Sequence, residues 1–365
     1  MITLTSAIKE VLENQTADLE KISEFLSKDN DKQRYIVGRN NDAAEAMKLI
    51  TFAGVIDDGI NAPSSWNGTP VIKMNSANPA GWVLNCSTSI APVNVINALK
   101  QQGIEKIINL HELWNHPEFK SLPLPWFVKQ QREDILVNQS KWETLYNCLE
   151  DQESKETLID TLSYRLSANP KYMTSYSVRL NEQYFEPFLK LKDETFVDAG
   201  GFDGDSTEVF CAHDVNYKEV FFFEPSEKNL SAGKKRLNNF RDINWMPFGL
   251  SDRSGYLAFD PEAGSASSVQ VAGEHTIKVE KLDDCLSKPV SFIKMDLEGW
   301  ELHALDGCQV QIKNNQPKLA VAVYHEASHF WEVWEKIKKL NPNYKVYLRH
   351  YTQGWSETVM YFSTF

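Results

Sequence analysis

Acids and glycines crowd one short stretch, Asp198-Ala199-Gly200-Gly201-Phe202-Asp203-Gly204-Asp205. Thr195-Phe196-Val197 precede it, so the segment reads as a buried strand ending in an acid, a glycine turn and a helix start. Glycine has no Cβ and tolerates positive φ, which lets backbone approach a ligand closely. Asp198, Gly200, Gly201, Asp203 and Gly204 are therefore candidate ligand contacts. Glu224, twenty residues beyond Gly204, ends a second apolar run at 219–223. A carboxylate there is placed to accept both ribose hydroxyls of a nucleoside. The glycine turn alone fits two ligand classes. A dinucleotide would set its pyrophosphate at the helix start, where Asp203 and Asp205 would repel it. The same acids suit a ligand with an ammonium and a sulfonium, S-adenosylmethionine. The methyl donor is read ahead of the dinucleotide, and a ligand-free turn is the plain alternative.

Ligands in open α/β sheets bind beyond the carboxyl ends of strands. Nearly every such end here carries an acid or a histidine: Asp198, Glu224, Ser251-Asp252 after Gly249-Leu250, Asp296 with Glu298, and His325-Glu326. Ser251, Asp252 and Asp296 join the candidate donor contacts. If the methyl acceptor is a hydroxyl, a base must take its proton. His325, Asp296 and Glu298 are the candidates, with His325 first because an ordinary imidazole titrates near ~6.5. A hydrogen-bonded structural histidine is the alternative. Asp296 and Glu298 have the chemistry to hold a hard divalent cation, but two acids without a clear third ligand leave the expected site without metal. Glu301 reads as a helix-start or capping residue. Gly264-Ser265-Ala266-Ser267-Ser268 reads as a mobile loop over the site.

The segment Ile293-Lys294-Met295-Asp296-Leu297-Glu298-Gly299-Trp300-Glu301 resembles the IKxDxEGxE signature of the FkbM family of S-adenosylmethionine-dependent methyltransferases. The order of the other motifs agrees. Val197-Asp198 with Gly200 and Gly204 looks like that family's donor loop, Phe223-Glu224-Pro225 like its ribose-binding acid, and Gly249-Leu250-Ser251-Asp252 like its third-strand turn. The loop departs from the family in carrying Gly201-Phe202-Asp203, where a small residue and Asn are usual. The resemblance covers residues 193–365. It implies O-methylation of a sugar or another natural-product hydroxyl.

These residues need a sheet to hold them. Strands are expected at 195–198, 219–223, 243–248, 275–279, 291–295, 318–324, 345–349 and 358–362, the last two as an antiparallel hairpin. Residues 31–115 alternate strands with helices, which implies a parallel sheet. The turn Gly38-Arg39-Asn40-Asn41-Asp42 has one glycine where a nucleotide fingerprint has three, so a structural Rossmann-like module is expected there. Residues 1–30 have helical periodicity, and 116–192 read as a mostly helical connector. Tyr172, Tyr176 and Tyr184 on that connector read as packing residues before cleft residues. The expected fold is thus α/β: a Rossmann-like methyltransferase domain with a mixed seven-stranded sheet, a smaller N-terminal Rossmann-like domain, and the connector.

The chain has 365 residues and a net charge of −12, which argues against nucleic acid or an anionic membrane surface as a partner. No apolar run approaches the ~20 residues of a membrane span. Met1 to Glu20 show no signal-peptide pattern. Five scattered cysteines suit reduced thiols in the cytoplasm. The expected partner is a small-molecule or glycan acceptor with a hydroxyl; oligomeric state is not legible. Two rivals stand beside the methyltransferase: a non-catalytic nucleotide-sugar or glycan binding protein, and an NAD(P)-dependent oxidoreductase.

Overall fold

The apolar runs at the start of the chain become a parallel sheet. In the computed structural model, residues 4–13, 18–114, 116–259, 269–270 and 275–365 are described. They divide into two units. The first holds residues 1–139, 156–178 and 352–356; the second holds 140–155, 179–351 and 357–365. The helices Trp126–Cys148 and Gln152–Ser167 contribute residues to both.

In the first unit the strands are β1 (Arg34–Val37), β2 (Gly54–Ile56), β3 (Ser65–Trp66), β4 (Thr69–Ile72), β5 (Trp82–Asn85) and β6 (Lys106–Asn109). Their order is β3-β4-β2-β1-β5-β6, parallel except for the β3–β4 pair. β1 has neighbours on both sides, so the chain reverses direction across the sheet there. Ile22 and Phe25 of the helix Leu19–Leu26 pack into one core with Ile36, Val55 and Trp82.

The second unit contains β7 (Thr195–Ala199), β8 (Glu219–Phe223), β9 (Ile243–Met246), β10 (Gly249–Leu250), β11 (Gly255–Phe259), β12 (Val269–Gln270), β13 (His275–Glu280), β14 (Phe292–Met295), β15 (Lys318–Ala322), β16 (Lys345–His350) and β17 (Thr358–Ser363). Seven of them form a mixed sheet ordered β16-β17-β15-β14-β7-β8-β9. β17 runs antiparallel to both neighbours, and the other pairings are parallel. The central strands are covered on both faces, which explains their unbroken apolar runs. Phe196 stacks on Phe292 with ring centroids 5.0 Å apart and meets Phe210 at 4.2 Å.

The expected α/β fold with an edge hairpin is therefore present. One strand is placed elsewhere. β13 joins β10, β11 and β12 in a separate four-stranded sheet and not the main one. In that sheet β10, which pairs with β13, and β12, which pairs with β11, are two residues each, too short to give a periodic signal. Residues 264–268, read from sequence as a loop over the site, lie outside the described residues.

Candidate active site

The site forms where β7 passes between β8 and β14, because the crossover connections leave in opposite directions at that point. Its first part is the turn after β7. Register places Lys294 of β14 beside Asp198 of β7. The buried Lys294 Nζ lies 3.0 Å from Asp198 Oδ1 and donates to the Gly200 carbonyl at 2.6 Å. The other carboxylate oxygen, Asp198 Oδ2, accepts from Ser206 Oγ at 2.8 Å and Thr207 Oγ1 at 2.7 Å. Strand, turn and helix start are thus tied through one acid. Burial would lower the Lys294 pKa, but Asp198 and Asp296 outweigh it and hold the ammonium above its ordinary range.

The glycines of this turn have a cause within the protein. Gly200 has φ +79°, and a Cβ there would fall 1.9 Å from the Asp296 carbonyl oxygen. At Gly201 a Cβ would meet the Phe222 ring at 2.4 Å. At Gly204, with φ +88°, it would meet Leu237 at 3.0 Å. The close approach read from sequence as an approach to ligand is therefore made to the chain's own backbone and side chains. Glycine content alone does not mark this turn as a ligand cradle.

Two acids differ in availability. Asp203 is held by Arg236, which pairs with its carboxylate at 2.6 Å and donates to its carbonyl at 3.0 Å. The expected repulsion of a pyrophosphate by two free acids is weaker than it looked, since Asp203 has a cation beside it. Asp205 opens the helix Asp205–His213, and burial raises its carboxyl above the ordinary range. Glu224 is buried at the end of β8; its carboxylate accepts backbone N–H groups from Phe202 at 3.0 Å and Ser226 at 2.8 Å, and the Asn229 side chain bonds it as well. Burial pushes its pKa up to about 7. The arrangement fits a ligand that brings hydroxyl donors to this carboxylate, as a ribose would.

On the other side of the turn, β14 and β15 bring together Asp296, Glu298, Glu301 and His325. The His325 side chain is 8% exposed. Its Nε2 lies 3.2 Å from Glu298 Oε2 and 3.5 Å from Asp296 Oδ1, and its Nδ1 faces Glu301 Oε1 at 3.1 Å. Glu301 is fully buried, caps the turn by accepting from the N–H groups of Leu297 and Gly299, and faces His329 Nδ1 at 3.3 Å. Burial alone would raise its carboxyl, but the two histidines hold it well below the usual range. Burial likewise opposes the His325 charge, yet Glu301, Glu298 and Asp296 outweigh it and raise the imidazole well above its ordinary pKa. The expectation of an imidazole near its ordinary value is not met in the site as it stands. Tyr184 donates to Asp296 Oδ2 at 2.6 Å. Of the three connector tyrosines it is the one in this cluster; Tyr176 instead donates to Asp160 at 3.2 Å, and Tyr172 packs in a core of the first unit.

Residues 198–352 match the family model described as the Methyltransferase FkbM domain. This segment is thus similar to the FkbM methyltransferase domain. The chain is also similar to the crystal structure of Methyltransferase FkbM from Methylobacillus flagellatus KT, at 23% identity and a TM-score of 0.73, over 99% of this chain and 98% of that one. The two share a fold along their whole lengths. An rRNA methylase from Streptococcus thermophilus is similar over 48% of this chain and 92% of its own, at 17% identity and a TM-score of 0.33. A search of curated proteins found no match. Among the described residues, no helix is long and apolar enough to cross a membrane.

Within the matched segment, Ser251 is buried, donates to Asp252 Oδ1 at 3.0 Å and accepts from Trp300 Nε1 at 3.1 Å. It joins the third-strand turn to the signature segment. Asp252 lies 3.6 Å from His303 Nδ1 and is partly exposed. Sequence reasoning missed three contributors: Lys294, Tyr184 and the second role of Glu301. For Lys294 a signal existed, since a lone lysine within Phe292-Ile293-Lys294-Met295 needs a buried acid to face.

Proposed function

We propose that this protein transfers a methyl group from S-adenosylmethionine to a hydroxyl of a small-molecule or glycan acceptor. The observation that carries the reading is the position of the Gly200–Gly204 turn. It lies between a buried carboxylate with open acceptor capacity, Glu224, and the Asp296–Glu298–His325 cluster, within a domain of a methyltransferase family. Glu224 accepts the ribose hydroxyls of the donor. Gly200, Gly201 and the backbone around Asp198 hold its amino-acid part, with Asp203, Ser251, Asp252 and Asp296 completing the surroundings. The donor supplies a methyl group already activated on a sulfonium, so the protein's task is to position the acceptor. The cluster of Asp296, Glu298 and His325 orients the acceptor hydroxyl and takes up its proton as the new O–C bond forms. The five free thiols support a cytoplasmic setting, and the net charge of −12 supports a small acceptor over nucleic acid.

Calorimetry with S-adenosylhomocysteine, followed by transfer of labelled methyl to a panel of glycans and small hydroxyl compounds, tests the reading. His325→Ala is expected to lower turnover by about 10² to 10⁴, the range for groups that handle the proton, with donor affinity nearly unchanged. Absence of S-adenosylhomocysteine binding to the folded protein would remove the donor assignment.

A further inference from the structure

We infer that Asp296, Glu298 and His325 form a binding site for one first-row divalent cation, of which Mn²⁺ and Zn²⁺ suit the donor set best. One donor atom from each residue lies within 4.8 Å of the other two. The two measured separations from His325 Nε2, 3.2 and 3.5 Å, match the spacing of neighbouring ligands around a shared ion. Ligands at about 2.1 Å from a metal stand roughly 3.0–3.5 Å apart in octahedral or tetrahedral geometry.

A second observation concerns the histidine. The His325 ring is more than nine-tenths buried, and its Nε2, within ion-pair distance of both carboxylates, completes no hydrogen bond to either. Asp296 Oδ1, which faces it, is also buried without a hydrogen bond. A buried nitrogen and oxygen that face each other without a hydrogen bond are costly even where their charges attract, and an ion between them would satisfy both.

The surroundings have the form that metal ligands require. The ring nitrogen away from the site faces the buried carboxylate of Glu301 at 3.1 Å, and Glu301 is fixed by two backbone N–H groups. A carboxylate in that position sets the tautomer that leaves the other nitrogen's lone pair free for a metal. Tyr184 holds Asp296 Oδ2 at 2.6 Å and so turns Oδ1 toward the histidine. Glu357, held by Gln183 at 2.7 Å, adds a further carboxylate nearby. Imidazole with two carboxylates is a mixed nitrogen and oxygen set, which favours manganese or zinc over magnesium or calcium. The ion's place in catalysis, where an acceptor hydroxyl would fill an open coordination position, rests on the methyltransferase reading; the binding site itself does not.

The test uses the full chain, stripped with EDTA and dialysed, with no donor present. Mn²⁺ is titrated in by calorimetry and by electron paramagnetic resonance, and S-adenosylhomocysteine is titrated separately. One saturable Mn²⁺ per chain is expected. Glu298→Gln, on the most exposed of the three ligands, and His325→Gln should each weaken it by about tenfold or more, with circular dichroism confirming that both are folded. Wild-type protein that takes up no Mn²⁺ or Zn²⁺ overturns the site, as does unchanged Mn²⁺ affinity in folded Glu298→Gln. Retained S-adenosylhomocysteine binding in a chain that takes no ion would remove the ion and leave the donor reading standing. Ion binding without S-adenosylhomocysteine binding would do the reverse.

Discussion

In the first unit β2 is followed by Asp57, and in the second β8 is followed by Glu224; each strand lies beside the one that leads into a glycine turn. Asp57 accepts from the Gly59 N–H at 2.8 Å and from Arg39 Nε at 2.5 Å. The Gly59 N–H, with Arg39 behind it, holds its carboxyl below the usual range. Glu224 is bonded by two backbone N–H groups and the Asn229 side chain, with no ion pair among the described residues, and burial drives its pKa the other way, to about 7. The same topology thus carries an acid paired with a cation and one held by hydrogen bonds alone. The contrast shows why function must be argued from the side chains at a turn and not from the fold that makes it.

Substitution at the two turns tests this contrast most strongly. Gly200→Ala would place a methyl 1.9 Å from the Asp296 carbonyl oxygen at φ +79°. It should cost roughly 3–5 kcal/mol of stability and abolish S-adenosylhomocysteine binding. Gly38→Ala meets Cys86 and Ser87 backbone at 2.8 Å with φ +99°. It should also lower the melting temperature, yet leave donor-product affinity of the folded protein unchanged. Equal loss of affinity in both variants would mean the first turn shares the ligand.

A gentler version removes the acids. Glu224→Ala should weaken S-adenosylhomocysteine by roughly 1.5–3 kcal/mol, the scale of hydrogen bonds to a charged group, as read by calorimetry. Asp57→Ala should leave that affinity where it was. A matched loss from Asp57→Ala would erase the distinction between the two units.

The pH response sharpens the same point. The folded Glu224 carboxyl lies near 7, raised from 4.5, so the folded protein holds that proton more firmly than the unfolded chain. Its stabilising contribution is complete below about pH 4 and is lost as pH rises through 7. Donor-product binding should run oppositely, gaining about tenfold between pH 6 and 8 as the carboxylate forms. Glu224→Gln should flatten both profiles. A wild-type affinity that is level across this window would show that the ribose is held elsewhere.

The smallest effect is expected at Asp203. Its pair with Arg236 is about one-third exposed on each side, and such pairs contribute about 0–1 kcal/mol. Asp203→Ala should change melting and donor-product affinity little. An affinity loss as large as that of Glu224→Ala would return Asp203 to the donor site.

What the sequence disclosed follows from burial. β7, β8, β14 and β15 read clearly because strands covered on both faces must be apolar almost throughout, and their ends stand out as the first charges after Val197, Phe223, Met295 and Tyr324. The convergence of Asp296, Glu298 and His325 was legible for the same reason. What stayed hidden depends on partners far along the chain. Nothing near Asp203 signals that Arg236 will occupy it, and nothing near Tyr184 signals Asp296. The glycines misled in a specific way, since their pattern records a packing constraint as readily as a ligand. Glu301 reads as a cap and is one, yet its contact with two histidines emerges only when β15 is laid beside β14.

The hairpin of β16 and β17 also has a consequence for how the molecule is made. β17, at 358–363, is the last strand in sequence but lies inside the sheet, between β15 and β16. The turn before it supplies residues 352–356 to the first unit, where Gln353 bonds Asn94 and Tyr176. On the ribosome, where domains generally fold in order of emergence, neither unit can finish until this late segment has emerged. Until then β15 presents an unpaired apolar edge, the kind of surface that pairs with other chains. The nascent protein therefore has an interval of exposure set by the time taken to translate this hairpin after β15, and that interval is when a chaperone would matter most.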